Sequence, residues 1–258
     1  IYPGVILQSF NSLTQNPEII NQYKINAINA QLSYSNIFKS FFARLLFQSS
    51  DNQSQITISN EVDNNGFLIN RIINRPNTVK NFGYTIDLSK GILGVLNTNF
   101  KYNFNQGENQ LYFNQQFMQS ITKSHRIETS INWDTSKWFG LNYNLKFNYF
   151  TSNFSNTKVN NNFLNHKLTA DFYTSSTTRI QLFAENAQIK SLHTKGSNYM
   201  FNADFYYKPS KKIIYKAAFT NILNTNHFLT SMGGINSISV SQFELRPRQF
   251  TVGITYSL

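Results

Sequence analysis

The stretch "NWDTSKWFGLNYNLKFNYF", residues 132–150, holds both tryptophans of the chain, Trp133 and Trp138, one on each side of the polar turn "DTSK" at 134–137. Beyond Trp138 the residues alternate. Leu141, Tyr143, Leu145, Phe147 and Tyr149 fall on one face, and Asn142, Asn144, Lys146 and Asn148 fall on the other. A period of two belongs to a β-strand, whose successive side chains point to opposite sides. Residues 94–105 repeat the scheme, with Leu96, Thr98, Phe100, Tyr102 and Phe104 against Asn97, Asn99, Lys101, Asn103 and Asn105. So do residues 198–207, with Tyr199, Phe201, Ala203, Phe205 and Tyr207 on one side, and the last nine, with Phe250, Val252, Ile254, Tyr256 and Leu258. Helical periodicity is hard to find between them.

Of the 258 residues, 40% are hydrophobic, 16% aromatic and only 14% charged. A soluble domain usually carries about 25% charged residues. Few charges, many aromatics and many asparagines suit a sheet that meets lipid on one side and water on the other. No run approaches the roughly 20 apolar residues of a spanning helix. The longest apolar cluster, "FFARLLF" at 41–47, is broken by Arg44. The net charge of +11 invites a nucleic-acid reading. The basic residues are scattered singly, however, and the tightest group, "KPSKK" at 208–212, reads as a turn. Dispersed positive charge suits lipid phosphates or an anionic solute, so no nucleic-acid partner is expected. The absence of cysteine removes disulfides and thiolate metal sites. The opening "IYPGVILQSF" lacks the regions of a signal peptide, so such a segment is expected to have been removed or to belong to a longer protein.

Connections of two kinds alternate along the chain. Short ones fall at 35–38, 89–92, 134–137, 174–177 and 208–212, and long polar ones at 14–22, 51–77, 106–118, 152–161, 190–197 and 225–237. This predicts an all-β fold, an antiparallel up-and-down transmembrane β-barrel wall spanning 1–258, with tight turns at one end and long loops at the other. About twelve strands are expected, at 4–13, 22–35, 38–50, 78–89, 93–105, 119–133, 138–151, 162–174, 178–189, 198–208, 213–224 and 238–258. Many exceed the ~9–11 residues that cross the hydrocarbon, so they should project as sheet beyond it. A soluble β-sandwich also alternates, but its outer face is usually richer in charge than Asn-Asn-Lys-Asn.

The chemistry of lipid gives the alternation its reason. Every backbone N–H and C=O inside the bilayer must be paired internally, and a closed sheet does so with an apolar outside and a wet inside. Trp133 and Trp138 then mark the headgroup level at the tight-turn end, where an apolar ring with one N–H donor sits best. By parity with the apolar rows, Arg44, Lys101, Lys146, Lys167, Arg179 and Lys216 should face the lumen, together with Asp87, Glu128, Asp171, Glu185 and Asp204. On the lipid face each would cost up to several kcal/mol at mid-depth. Arg246 and Arg248 share the apolar parity instead. They flank Pro247, which suits a break in pairing, and at the outer rim they would meet lipopolysaccharide phosphates. His125, His166, His193 and His227 lack ligand spacing, and no nucleophile, phosphate-loop or dinucleotide motif occurs. No enzyme activity, cofactor or metal is expected.

Four segments resemble the C-terminal half of the barrel of TonB-dependent outer-membrane receptors, in the Bacteroidota-type branch. "QNPEIINQYKINAINAQLSYS" (15–35) looks like that family's Asn-Pro loop and following strand, and "TVKNFGYTIDL" (78–88) like a strand opening after an extracellular loop. "AAFTNILNTNHF" (217–228) is similar to the penultimate-strand "NLFNxxY" motif, with Ile222 and His227 departing from it. "FELRPRQFTVGITYSL" (243–258) resembles the closing strand, although it ends on Leu258 rather than an aromatic. The resemblance implies part of a twenty-two-stranded barrel in the bacterial outer membrane, importing a nutrient or chelate through a gated lumen. A plug domain and the box that engages TonB would then lie in an N-terminal region absent from this sequence. It implies lipid, lipopolysaccharide and a surface lipoprotein or other envelope protein as partners. A complete twelve-stranded barrel, a passive porin and a structural or secretion-associated barrel are the competing readings.

Overall fold

Each alternating segment forms a strand, and no helix occurs among the described residues. The computed structural model describes residues 4–9, 12–16, 22–62, 68–114, 116–134, 138–154, 157–191, 195–233 and 238–256. The strands are β1 (Gly4–Ser9), β2 (Ser12–Asn16), β3 (Tyr23–Asn36), β4 (Phe41–Ser54), β5 (Thr57–Val62), β6 (Leu68–Ile73), β7 (Asn77–Ile92) and β8 (Leu96–Phe113). There follow β9 (Gln116–Asp134), β10 (Phe139–Phe154), β11 (Thr157–Tyr173), β12 (Thr178–Lys190), β13 (Lys195–Tyr207), β14 (Ile213–Thr220), β15 (His227–Gly233), β16 (Ile238–Glu244) and β17 (Gln249–Tyr256). Eleven of them form one antiparallel wall in the order β3-β4-β7-β8-β9-β10-β11-β12-β13-β14-β17. Among the described residues, β3 and β17 each pair on one flank only, so the sheet is open between them.

Register gives the wall its tilt. The row through Tyr34 on β3 passes Leu88, Phe100 and Leu145 and reaches Tyr199 on β13, eight strand steps away. Tyr34 lies close to the tight turn, whereas Tyr199 lies eight residues above Tyr207, the last residue of its strand. Tyr34 itself stands two residues from the end of β3, so the band slides by six residues over the eight strand steps. At ~3.4 Å per residue along a strand and ~4.8 Å between strands, that slide is a tilt of about 28°, a little shallower than the roughly 35–45° of transmembrane barrels. On β10 the apolar row runs from Phe139 to Tyr149, ten residue steps. At that tilt it stands about 30 Å tall, the thickness of the ~30 Å hydrocarbon core of a bilayer.

Aromatic rows bound the band at both edges. At the loop edge, Phe82 meets Phe47 at 5.4 Å and Phe104 at 6.0 Å, and His125 meets Phe104 at 4.9 Å and Tyr149 at 5.9 Å between ring centroids. At the turn edge, Phe139 contacts Trp133, Trp138 and Phe172 at 5.7, 5.6 and 5.3 Å. An apolar zone edged by such rings is the profile of a surface in lipid.

Four expectations need correction. The segment 4–13 is not a wall strand: β1 and β2 form a hairpin whose second strand pairs in parallel with β6. The loop at 51–77 contains the β5–β6 hairpin, which pairs in parallel with the end of β8 through Ser59–Tyr112 and Asn60–Phe113. The loops at 106–118 and 152–161 are largely strand, since β8 runs to Phe113 and β10 to Phe154 with their partners starting just beyond, and 190–197 takes in the ends of β12 at Lys190 and β13 at Lys195, while 192–194 lie outside the described residues. Above the bilayer both faces meet water, so the backbone ladder continues while the apolar alternation disappears. The last expected strand is two, β16 and β17, divided at 245–248 around Pro247, and β16 pairs in a separate hairpin with β15, which lies in the expected loop 225–237. Residues 17–21, 135–137 and 234–237, parts of expected connections, lie outside the described residues.

Close packing between β7 and β8 requires a glycine. A Cβ on Gly83 would stand 2.8 Å from the carbonyl oxygen of Phe104 and 2.5 Å from the Asn105 amide oxygen. Gly83→Val is expected to destabilise the wall by about 1–3 kcal/mol through overpacking. Urea titration of the micelle-embedded protein measures this.

Candidate functional site

Register places all eleven charged residues selected by parity on one face of the wall. Arg44, Asp87, Lys101, Glu128 and Lys146 stand directly opposite one another in a single row across β4, β7, β8, β9 and β10, alternating in sign. Neighbouring strands lie ~4.8 Å apart, so each charge has an opposite charge beside it. The Arg44 Nε donates to Asp87 Oδ2 at 2.8 Å. Glu128 accepts from Arg126, at 2.5 Å, and Lys146 approaches it at 3.7 Å. Further along the same face, Lys167 pairs with Glu185 at 3.2 Å, Arg179 with Asp171 at 3.5 Å and Lys216 with Asp204 at 2.7 Å. Arg179 and Lys216 also lie over the Tyr206 ring, at 4.5 and 5.1 Å.

Amides and hydroxyls occupy the spaces between the charges. Asn165 donates to Glu185 at 2.7 Å and Gln181 to Asp171 at 2.9 Å. Asn103 donates to Thr85 at 2.7 Å and Asn99 to Ser130 at 3.1 Å. A cavity on this face is lined by Asp87, Asn99, Lys101, Glu128, Asn144 and Lys146. The face is a hydrogen-bonded polar wall that can line water, seat another polar surface or pass a charged solute. Sequence reading missed Arg126, although its parity with Glu128 was available. It also missed that three cations, Lys101, Arg126 and Lys146, surround one carboxylate, because register is needed to see it.

The Arg44–Asp87 pair is the most sheltered of the row, with Asp87 only 16% exposed. A double-mutant cycle with Arg44→Gln and Asp87→Asn is expected to give a coupling near 1 kcal/mol, the upper end for partly solvated pairs. Urea unfolding of the four proteins checks it.

The remaining candidates lie elsewhere. Trp133 and Trp138 are 43% and 64% exposed at the tight-turn end, Trp133 on the apolar face opposite Leu141. His125 and His166 point to the apolar face, where Tyr102 and Tyr143 hydroxyls meet their Nδ1 atoms at 2.8 and 2.7 Å. Glu128 lies on the opposite face, so His125 and Glu128 cannot share a metal. His227 begins β15, and His193 lies outside the described residues. Arg246 and Arg248 are exposed but not on a strand; they sit in the link between β16 and β17.

That link is tied down by the asparagines of "TNILNTN" (220–226). Asn221 is buried and left-handed at φ 52°, and the exposed Asn224 is left-handed at φ 53°. The Asn221 amide donates to the carbonyls of Thr225 and Arg246, both at 2.9 Å, and its oxygen accepts from the Thr225 N–H at 2.8 Å. The Asn224 oxygen accepts from the Arg248 N–H at 3.0 Å. The sequence motif was visible, but this bracing role was not.

The antiparallel up-and-down order, the height of the apolar zone and its aromatic edges make the chain a wall of an outer-membrane β-barrel, located in the bacterial outer membrane. No family model matches the sequence, and no curated protein matches it. Among solved structures it is similar to BauA, the ferric preacinetobactin receptor from Acinetobacter baumannii, with 9% identity and a TM-score of 0.45. The match covers 92% of this chain and 45% of the receptor, so the chain spans less than half of that length. It is also similar to the β domain of the Bordetella autotransporter BrkA, with 9% identity, a TM-score of 0.31 and coverage of 92% and 91%.

Proposed function

We propose that the chain is the C-terminal barrel wall of a TonB-dependent importer of the Bacteroidota type. It is non-enzymatic and takes up a nutrient or chelate through a gated lumen. The observation that carries this reading is the direction of the two free edges. β3 and β17 are the first and last of eleven alternating strands, so both run from the loop end toward the tight turns. Joining them directly would need a parallel pair, whereas bacterial barrels close antiparallel with an even strand number. Antiparallel closure needs an odd number of further strands, and eleven more would give the twenty-two of plugged outer-membrane transporters. In such a barrel the charged face would line the lumen and pack a plug, and the β5–β6 and β15–β16 hairpins would stand outside for substrate capture. TonB, reached through the N-terminal region, and a surface lipoprotein are the partners this reading implies.

Transport by cells carrying the full-length protein tests it. Uptake of the cognate solute should stop when TonB is deleted or the proton gradient is collapsed. Steady ion conductance of the purified barrel, with uptake insensitive to both treatments, would indicate a passive pore instead. A stoichiometric envelope partner with no solute uptake would indicate a structural or secretion barrel.

A further inference from the structure

The outward face carries a line of lysines whose spacing follows the tilt. Lys24 on β3, Lys80 on β7, Lys123 on β9 and Lys190 on β12 all share the apolar parity and are exposed. Lys80 is in the row of Asn26, one row below Lys24. Lys123 is one row below Ile121, which stands in the row of Lys80. Lys190 pairs with Asn162, one row below Asn160, which stands in the row of Lys123. Each drop of two residues occupies two or three strand steps, the same descent that the apolar band makes. The lysines therefore lie level with the membrane, at the loop-side edge of the apolar zone.

We infer that this belt holds a phosphorylated lipid of the outer leaflet, and that its tightest point is the Lys190–Lys195 pair. This rests on the outward face being lipid-facing. Three observations select the pair. First, Lys190 and Lys195 stand directly opposite each other across β12 and β13, with Cβ atoms ~5 Å apart, and like charges so placed repel. Second, no carboxylate of β10, β11, β12 or β13 shares that face among the described residues: between Asp134 and Asp204 the sequence has only Asp171 and Glu185, and both point inward. By contrast, Lys80 lies between Asp51 and Glu108 in its own row. Third, the pair closes the top of a groove on the outward face whose floor is Phe147, Leu164 and Tyr199. Acyl chains fit the floor, and a phosphate between the two ammonium groups replaces their repulsion with two charge-assisted hydrogen bonds.

The full-length protein, delipidated in neutral detergent, is titrated with bis-phosphorylated lipid A and followed by native mass spectrometry. Replacing both lysines, Lys190→Gln with Lys195→Gln, should weaken binding about 30-fold, near fivefold for each lysine at a charged surface. Lys80→Gln should change it less than about twofold, because its carboxylate neighbours already neutralise it. Dephosphorylated lipid A should bind wild type and double variant alike. Without lipid, Lys195→Gln should unfold at a higher temperature than wild type, a readout that survives any loss of binding. Unchanged affinity in the double variant, equal binding of the dephosphorylated lipid, or displacement by millimolar inorganic phosphate overturns the proposal. Quenching of Leu164→Trp fluorescence by brominated acyl chains reports the lipid-facing assignment separately: quenching with no lysine effect sinks the belt alone, and no quenching sinks the assignment.

Discussion

Leu145→Arg is expected to destabilise the folded wall by about 2–4 kcal/mol, while Asn144→Arg, one residue away, changes it by less than about 0.5 kcal/mol. Leu145 lies near the middle of the apolar row of β10, opposite Thr129 and His166. A guanidinium there loses its hydration, and the residues opposite it, Thr129 and His166, offer no carboxylate. The Asn144 side chain points the other way, opposite Ser130 and Lys167, where water solvates an added charge. The penalty should fall toward zero for the same substitution at Asn160, exposed on the outward face opposite Thr151 and beyond the loop-side aromatic row, because the cost depends on depth. Reversible urea unfolding in lipid vesicles measures all three variants. Equal costs at 144 and 145 would remove the distinction between the faces.

Asn221→Ala is expected to cost about 3 kcal/mol. It removes three side-chain hydrogen bonds from a buried site and leaves the Thr225 and Arg246 backbone groups unsatisfied, at roughly 1–3 kcal/mol for a buried orphan. It also puts a residue with a Cβ and no local hydrogen bond at positive φ, which costs about 1 kcal/mol more than glycine or asparagine would. Asn221→Gly should recover only that last part, and Asn221→Asp should keep the bond from Thr225 and lose the two donated ones. The loss should concentrate in the link 245–248, whose Arg246 carbonyl is released. Hydrogen exchange of the 221–226 and 245–248 segments, alongside urea unfolding, separates local release from global destabilisation.

Much of the wall was legible in the sequence because lipid imposes a rule that composition obeys. The residues from Leu141 to Tyr149 and from Leu96 to Phe104 carry a period of two that only a strand satisfies, and that period fixes which charges share a face. The row in which Lys101 meets Glu128 was not legible, since the offset between strands is set by pairing and tilt rather than by either segment alone. The extents of β8, β10 and β12 were hidden for a physical reason. At "QGENQ" (106–110) and "NNN" (160–162) both faces of the sheet meet water, so polarity signals a loop while the backbone remains paired. The β5–β6 hairpin was hidden likewise, because its pairing to β8 is parallel and between segments distant in sequence. Asn221 carried a motif signal, but its hydrogen bonds depend on the break at Pro247, which places the Arg246 carbonyl within reach.

The most direct test of the account is a spin-label scan of positions 139–150 in bilayers of the full-length protein, comparing collisions with oxygen, which prefers the acyl layer, and with a water-soluble nickel chelate. Oxygen accessibility should peak at 141, 143, 145, 147 and 149, and nickel accessibility at 142, 144, 146 and 148, in antiphase throughout. Accessibilities that rise and fall together, or that follow a period near 3.6, would contradict a wall with lipid on one side and water on the other.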